Sequence, residues 1–344
     1  MSWRHPLKNA MKSYKSLKTL GGLKFKSIKI KLKRQMSISF ITWNINKGTF
    51  SEISLYLREI LKKQRSETLT FFEAENLVDS DIEGMGYTKI KLASVEPSKK
   101  VIKMFIKNDS DYIIENKYDF TQLVVNEIKF LPINREMKDY LVEESKIIRR
   151  IEKTATLEAF EIKNSKSKDF FLFVAIHIPS KLYQDEYDQF QSAINYKKYI
   201  TARAEEYGNK ILVAGDFNMA PFERGMTEPM GFFAFQNNND VNPDIEHVLG
   251  SRQLSFYNPS WRLLGDYDIG SKSFREGGSF FYEKSKKRKT NTWHLFDQII
   301  MTKNLFNSFD HNSLVLLETT NLSQDIKNPQ KKIDHLPLCF TINI

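Results

Sequence analysis

The feature that most constrains this chain is a set of five short apolar runs, each of which ends in a polar or ionisable cluster. A short run of β-branched and aromatic residues is typical of a buried β-strand. Such a strand delivers the polar residue at its end to the edge of a sheet, where several ends can meet on a rigid scaffold. The runs cover residues 40–44, 70–73, 173–177, 212–218 and 332–335.

From Ser37 onward the sequence alternates between strand-like and helix-like patterns. Helices between and beside strands, with several hairpins, predict an α/β (α+β) fold built on mixed sheets. We predict a helix capped by Ser51 that ends near Gln64, and further helices at 135–150 and 188–207. The predicted strands are 37–43, 69–72, 101–106, 122–128, 156–162, 170–176, 210–214, 296–301, 314–317 and 338–342.

Residues 1–36 differ in charge from the rest of the chain. They contain 11 Lys and Arg residues and no Asp or Glu, which is more positive charge than the net +10 of the whole protein. Charge blocks of this kind are typical of disordered arms that meet polyanions, and the interspersed apolar residues would also allow an amphipathic segment on an anionic membrane. We therefore predict a basic tail at 1–36 and one catalytic domain at 37–344.

Composition excludes several classes of protein. The single cysteine, Cys339, excludes a disulfide framework and a thiolate zinc cluster. No apolar stretch approaches the roughly 18 residues that cross a bilayer, and the lysine-rich start has no apolar signal region. We expect a cytoplasmic protein whose oligomeric state the sequence leaves open.

The polar ends of the five runs supply side chains that suit one chemistry. A single carboxylate after a strand is commonly a cap or turn former, so each residue alone indicates little. Together the runs contain one Glu, two Asp, two His and two Asn. That set suits a hard cation with oxygen ligands, combined with a proton-transfer step.

Two of these segments are specific enough to indicate a family. Gly215-Asp216-Phe217-Asn218 follows an apolar strand, and Asp334-His335-Leu336-Pro337-Leu338 leads into the last strand. With the other runs in the same order, the chain resembles the endonuclease/exonuclease/phosphatase superfamily, which includes deoxyribonuclease I. The resemblance covers about residues 37–344. It implies a four-layer sandwich of two packed mixed β-sheets flanked by helices, and a metal-dependent hydrolase of phosphoric esters.

The resemblance implies a Mg²⁺ site in which Mn²⁺ can substitute. Glu73 matches the metal-binding glutamate, and Asp334 and Asn44 match residues near or in the coordination shell. Mg²⁺ prefers a few carboxylates, several waters and substrate phosphate oxygens, which fits so small a ligand set. Asn44 is also a candidate to donate to the phosphate or to position Asp216.

The resemblance also implies an acid–base set. Asp216 and His335 are the two candidate bases for an attacking water, and the sequence does not decide between them. Asp297 matches the aspartate that orients the last histidine and fixes its tautomer. Asn218 is a candidate to donate to the phosphate or to position Asp216, and His177 is a candidate acid for the leaving oxygen.

Three positions depart from the family pattern. Phe72 replaces the glutamine that usually precedes the metal glutamate, and Gln298 replaces the arginine or tyrosine that often follows the orienting aspartate. The acid that partners the histidine in deoxyribonuclease I would fall near Lys99 or Lys100. We therefore expect His177 to lack that partner.

Other residues near the motifs have alternative interpretations. A basic loop at 284–289 lies shortly before Asp297 and is either solvated or in contact with a phosphate backbone. Trp293 and Trp261 are more often core residues than platforms for bases. His294 is interpreted as a surface or satisfied residue, although it follows Trp293.

The predicted function is metal-dependent cleavage of a phosphodiester in nucleic acid, by an endonuclease or an exonuclease. One alternative keeps the chemistry and changes the substrate to a phospholipid or phosphoinositide, which the basic tail would favour. The other is a non-catalytic module that binds nucleic acid or membranes. The matched set of Glu73, Asp216, Asn218, Asp297 and His335 favours an enzyme.

Overall fold

The computed structural model describes residues 36–92, 102–118, 156–181, 185–248, 250–268, 273–283 and 292–344. Four sequence predictions lie outside these residues: the tail apart from Met36, the strand at 122–128, the helix at 135–150 and the basic loop at 284–289. Everything below refers to the described residues.

The first sheet has six strands and places the last strand of the chain inside it. Its order is β18-β19-β1-β2-β4-β3. β1 runs parallel to β2 and antiparallel to β19, so the sheet is mixed. The strands are β1 (Ser37–Asn44), β2 (Thr68–Phe72), β3 (Tyr87–Lys89), β4 (Lys103–Lys107), β18 (Val315–Leu316) and β19 (Leu338–Asn343).

The second sheet has seven strands in the order β5-β6-β7-β8-β17-β12-β9. β7 and β8 are parallel, whereas β17 is antiparallel to β8, so this sheet is also mixed. Its strands are β5 (Tyr112–Tyr118), β6 (Thr156–Asn164), β7 (Phe170–His177), β8 (Ile211–Asp216), β9 (Ala234–Phe235), β12 (Phe256–Tyr257) and β17 (Asp297–Met301).

Short hairpins and helices complete the fold. The hairpins pair β10 (Glu246–Val248) with β11 (Ser251–Gln253), β13 (Tyr267–Asp268) with β14 (Ser273–Phe274), and β15 (Phe280–Phe281) with β16 (Trp293–His294). The α-helices are α1 (Phe50–Lys63), α2 (Asp79–Glu83), α3 (Glu186–Ala204), α4 (Arg224–Thr227) and α5 (Thr320–Ile326). Single 3₁₀ turns lie at Glu205–Tyr207, Asn238–Asp240, Pro259–Leu263 and Lys303–Ser308.

Phenylalanine side chains fill the space between the two sheets. Phe40 of β1 stacks on Phe340 of β19 at 5.0 Å between ring centroids, and lies 5.1 Å from Phe173 of β7. Side chains two residues apart on a strand share a face. Asn44 therefore points into the same inter-sheet space as Phe40, but at its end.

The helices cover the outer faces of the sheets. α1 buries Ile53, Leu57 and Ile60 in the cluster that contains the first sheet. α3 buries Tyr196 and Ile200 in a second cluster with outward-facing residues of β7 and β8. These layers confirm the predicted sandwich of two packed mixed sheets flanked by helices.

Most predicted element boundaries differ from the observed ones by one or two residues. The first helix is the clearest correction, because its N-cap is Thr49 rather than Ser51. The Thr49 backbone N–H donates to Glu52 Oε2 at 2.7 Å, which is half of a capping box. No helix among the described residues is long and apolar enough to cross a membrane.

Candidate active site

The ends of six strands meet at one edge of the sandwich. β1 ends at Asn44, β7 ends at His177 and β8 ends at Asp216, while β17 begins at Asp297 directly opposite Asp216. Glu73 follows β2, and His335 precedes β19. The eight residues predicted from the motifs are therefore gathered at one place, with contributions from both sheets.

Asp216 lies at the centre of this cluster. Its Oδ2 accepts from Asn44 Nδ2 at 2.9 Å and from Asn218 Nδ2 at 3.0 Å, and its Oδ1 accepts from the Asn218 backbone N–H at 2.8 Å. Asn218 Nδ2 also donates to the Ile178 carbonyl. The amides of both asparagines are thus used to hold the carboxylate, as predicted for Asn44.

The backbone around Asp216 requires glycine and asparagine. Gly215 has φ +146°, and a Cβ there would lie 2.0 Å from the Ile176 carbonyl oxygen. Asn218 has φ +50°, in the left-handed region that asparagine tolerates better than most residues. This explains why the Gly-Asp-Phe-Asn segment carries so much information.

The His335 imidazole forms a short hydrogen bond with Asp297. Nδ1 of His335 lies 2.7 Å from Asp297 Oδ2, and its Nε2 points towards Asp216 Oδ2 at 3.8 Å. Burial alone would lower the pKa of His335, but the carboxylates of Asp297, Asp216 and Asp334 raise it to about 10. The imidazole is therefore cationic at neutral pH in this arrangement.

Asp216 is buried, unlike a carboxylate on the protein surface. Burial raises the pKa of Asp216 to about 7, and the Asp297 carboxylate adds to this effect, while His335 and the two asparagine donors oppose it. A carboxyl with a pKa near neutrality can accept and release a proton at physiological pH.

Glu73 and Asp334 lie on the solvent side of the cluster. Asp334 Oδ1 is buried and accepts no hydrogen bond, whereas Oδ2 accepts from Asn46 Nδ2 at 3.0 Å. Burial raises the pKa of Asp334; the nearby His335 opposes this, and the Glu73 carboxylate raises it further. A free buried oxygen beside a second acid is an arrangement that a divalent cation would stabilise.

The donor set fits Mg²⁺ better than a transition metal. Within the described ranges, no group of three or more His, Cys, Asp and Glu side chains is arranged to hold a metal by itself. Mg²⁺ needs only one or two carboxylates because water and substrate phosphate complete its shell. Glu73 and Asp334 supply those carboxylates. The Asn44 side-chain oxygen accepts from the Asn46 backbone N–H, so Asn44 holds the backbone beside these carboxylates.

His177 has an acidic neighbour from a part of the chain other than the one considered in the sequence analysis. Its Nε2 lies 3.3 Å from Glu73 Oε1 and 3.7 Å from Asp216 Oδ2. The expected partner position near Lys99 and Lys100 lies outside the described residues. The neighbour comes instead from the other sheet, where β2 delivers Glu73 beside the end of β7.

Two residues that the sequence analysis did not identify support the His335 segment. Ser279 Oγ accepts from the backbone N–H of Asp297 at 2.9 Å, and its carbonyl accepts from Leu336 N at 2.7 Å. The backbone N–H of Phe281 donates to the Asp334 carbonyl at 3.1 Å. Ser279 and β15 thus hold the backbone on both sides of His335. Ser279 and Phe281 could have been recognised only by knowing that this segment pairs with the His335 segment.

Asn46 is also new to the site. It has φ +43°, and its side chain joins the Asp334 carboxylate to the Lys332 carbonyl. The one available signal was its position two residues after Asn44, in the sequence Asn-Ile-Asn.

The two departures from the family pattern have structural roles. Phe72 is fully buried, and its ring lies against Gly215 in the second sheet. Gln298 is also fully buried; its amide donates to the Met219 carbonyl at 2.6 Å and accepts from Asn258. Neither replacement changes the side chains that contact Asp216.

Aromatic rings line one side of the site. Phe280 lies 4.7 Å from the His335 ring, 5.3 Å from Phe296 and 6.2 Å from Tyr282, with the last two nearly parallel to it. His294 stacks on Phe296 at 5.2 Å, so it faces the site rather than the surface. We call Phe280, Tyr282, His294 and Phe296 the aromatic strip.

Both tryptophans near the site are partly covered. Trp293 packs on Phe281, and the Lys327 ammonium lies 5.6 Å from its ring. Trp261 is half-buried and contacts Phe222 at 6.4 Å. Trp293 therefore faces away from the strip, because neighbouring residues on a strand point to opposite sides.

Comparison with known proteins shows similarity at the level of structure. No protein-family model and no curated sequence matches the chain. It is similar to an endonuclease/exonuclease/phosphatase family protein from Bacteroides thetaiotaomicron, at 12% identity and a TM-score of 0.49 over 90% of this chain and 98% of that one.

Two further solved structures are similar. Truncated TDP2 from Caenorhabditis elegans has 12% identity and a TM-score of 0.49, over 90% of this chain and 98% of the other. The 3'-5' exonuclease NExo from Neisseria meningitidis has 11% identity and a TM-score of 0.47, over 89% and 100%. In this chain, the two packed mixed sheets and the motif residues at one edge agree with the fold that the sequence resemblance implies.

Proposed function

We propose that this protein is a Mg²⁺-dependent phosphodiesterase that hydrolyses nucleic acid. The observation that carries the proposal is the arrangement of two kinds of carboxylate around one point. Glu73 and Asp334 face solvent, while the buried Asp216 lies beside the Asp297–His335 pair. This separation provides for cation binding and proton transfer at the same site.

Glu73 and Asp334 are the proposed ligands of the cation, with Asn44 and Asn46 holding the carboxylates and backbone around them. When bound, Mg²⁺ would polarise the phosphoryl oxygen and offset the negative charge that develops on it. Oδ1 of Asp334 supports this assignment, because a buried carboxylate oxygen that accepts no hydrogen bond is costly.

Asp216 is the proposed general base. Its carboxylate removes a proton from water as the water oxygen bonds to phosphorus, and the bond from phosphorus to the leaving oxygen breaks. Two hydrogen bonds from asparagine amides hold the carboxylate in place. The cationic His335 donates from Nε2 to a phosphate oxygen, and Asp297 keeps its Nδ1 protonated.

His177 is the proposed acid for the leaving oxygen. Its Nε2 lies 3.3 Å from Glu73 Oε1 and 3.7 Å from Asp216 Oδ2. The proton given to the leaving oxygen can be replaced from the one that Asp216 takes up.

The aromatic strip favours a nucleic-acid substrate. Phe280 and Tyr282 present nearly parallel rings beside His335, and Tyr282 is one of the more exposed aromatic side chains. Bases stack on such rings regardless of their identity. Lys181, which forms an ion pair with Glu223, lies 5.9 Å from the Phe296 ring at the side of this surface.

A second candidate substrate is a phospholipid. The β13–β14 hairpin exposes Tyr267 and Phe274, whose rings contact each other at 5.2 Å while Phe274 remains 79% exposed. Aromatic side chains of this kind favour the interface of a membrane.

The test is turnover of matched substrates by the purified chain with Mg²⁺. Labelled DNA, labelled RNA and phospholipid vesicles are compared with Asp216→Asn as the inactive control. Cleavage of nucleic acid that requires Asp216 supports the proposal. Cleavage of phospholipid alone would replace it with the second candidate, and no turnover of any of them would reject an enzyme of this class.

A further inference from the structure

A second aromatic platform lies on the same edge as the catalytic cluster. Phe222 follows β8 by six residues, and its side chain is 61% exposed. Single exposed apolar residues are normal on protein surfaces. Phe222 differs in that its ring lies 6.4 Å from that of Trp261, and Trp261 is next to Ser260, whose hydroxyl accepts from the backbone N–H of Ile299 in β17.

The turn that carries Phe222 is rigidly held. The Glu223 backbone N–H donates to the Ala220 carbonyl at 3.0 Å, and the Glu223 carboxylate accepts from the Ala220 N–H at 3.0 Å. Pro221 fixes its own φ between them. The Phe222 ring is therefore presented in a fixed position, which lowers the entropy lost when a ligand stacks on it.

A chain of contacts links Phe222 to the aromatic strip. Glu223 forms an ion pair with Lys181, and Lys181 lies against Phe296, which stacks on Phe280. Phe222 and Phe280 are thus two aromatic surfaces on one rim, and Phe280 alone touches His335.

We propose that Phe222 and Phe280 each stack on a nucleobase, so that the enzyme takes single-stranded rather than duplex nucleic acid. The inference rests on the proposed nuclease function. Bases in a duplex have both faces covered by neighbouring bases, so two separate protein platforms can be used only by unpaired, splayed bases. The aromatic surfaces therefore define the strandedness of the substrate.

The experiment compares three substrates of the full chain with Mg²⁺: a single-stranded oligonucleotide, its blunt duplex, and an aryl phosphodiester that carries no base. Phe222→Ala is expected to raise KM about tenfold for the single strand, since losing one stacked base has a typical effect of this size. The same variant should leave the duplex and the aryl ester unchanged. Phe222→Trp should keep or lower KM.

Two further variants separate stacking from other effects. Phe222→Leu keeps an apolar side chain without a flat face and should behave like Phe222→Ala. Phe170→Ala removes a partly exposed phenylalanine at the opposite end of β7 and should leave KM unchanged.

The outcomes are distinct from failure of the proposed function. If the wild type cleaves nucleic acid but Phe222→Ala has no effect, or affects single strand and duplex equally, only the stacking inference is overturned. Normal KM in Phe222→Leu would overturn it as well, because an apolar contact would then suffice. If the wild type cleaves the aryl ester and no nucleic acid, the nuclease proposal fails and the inference fails with it.

Discussion

The two sheets supply carboxylates of opposite character to one site. The first sheet supplies Glu73 and Asp334, whose side chains are 17% and 31% exposed. The second supplies Asp216 and Asp297, which are each 1% exposed. A partly exposed carboxylate can exchange water for a cation, whereas a buried one is held by hydrogen bonds and exchanges only protons. On the proposed assignment, the fold separates metal binding from proton transfer by depth.

The largest expected effect on turnover concerns the partly exposed pair, Glu73 and Asp334. Removal of divalent cations with a chelator should abolish turnover, and added Mg²⁺ or Mn²⁺ should restore it. Glu73→Gln should need more Mg²⁺ for half-maximal rate, whereas Asp216→Asn should not be rescued by any concentration. Full activity in excess chelator would show that the exposed carboxylates do not serve a cation.

The two buried aspartates, Asp216 and Asp297, should differ in how much their substitution lowers kcat. Asp216→Asn should lower kcat by at least about 10²-fold, because the base is lost. Asp297→Asn should lower it less, because Asp297 orients His335 rather than reacting. Single-turnover rates at saturating Mg²⁺ measure both, and an equal or larger loss for Asp297→Asn would reverse their assignments.

Substitution of Asn46 tests whether Mg²⁺ binding by Glu73 and Asp334 depends on neighbouring residues. Asn46→Ala removes the hydrogen bond to Asp334 and should weaken Mg²⁺ affinity by about 10- to 100-fold, as is typical for groups that orient a ligand. Asn76→Ala is the matched control, since Asn76 donates to the Lys47 carbonyl in the adjacent loop. The Mg²⁺ concentration that gives half-maximal activity should rise only for Asn46→Ala.

Ser279 tests the buried side in the same way. Ser279→Ala leaves the backbone N–H of Asp297 without its acceptor, and an unpaired buried group costs about 1–3 kcal/mol. We expect the free energy of unfolding to fall by this amount in urea denaturation. The Mg²⁺ requirement should stay as in the wild type, in contrast to Asn46→Ala.

The smallest expected effect concerns a buried charge outside the site. Lys197 is 1% exposed, its Nζ donates to the Pro229 carbonyl at 2.8 Å, and burial lowers its pKa to about 7. The unfolded state then binds more protons between about pH 7 and the ordinary lysine pKa, so the free energy of unfolding should rise with pH over this range. Lys197→Met should reduce that rise, and identical pH dependence in both proteins would show that Lys197 stays charged.

The sequence was sufficient for the fold and for the residues at the strand ends, because both follow from local patterns. The Gly215–Asn218 segment is distinctive since its backbone admits few other residues. The pairing of His177 with Glu73 could not be predicted, because it depends on how two sheets pack. Ser279 gave no local signal, and Asn46 gave only its position two residues after Asn44, since a serine and an asparagine in loops are ordinary turn residues.

The position of β19 has a consequence for how the protein is made. β19 lies between β18 and β1, yet it follows every other strand along the chain, and His335 comes just before it. A nascent chain that already exposes Asn44 and Glu73 therefore still lacks the histidine and has an unfilled gap in its first sheet. On the proposed function, the growing polypeptide lacks a complete set of catalytic side chains until His335 has been synthesised.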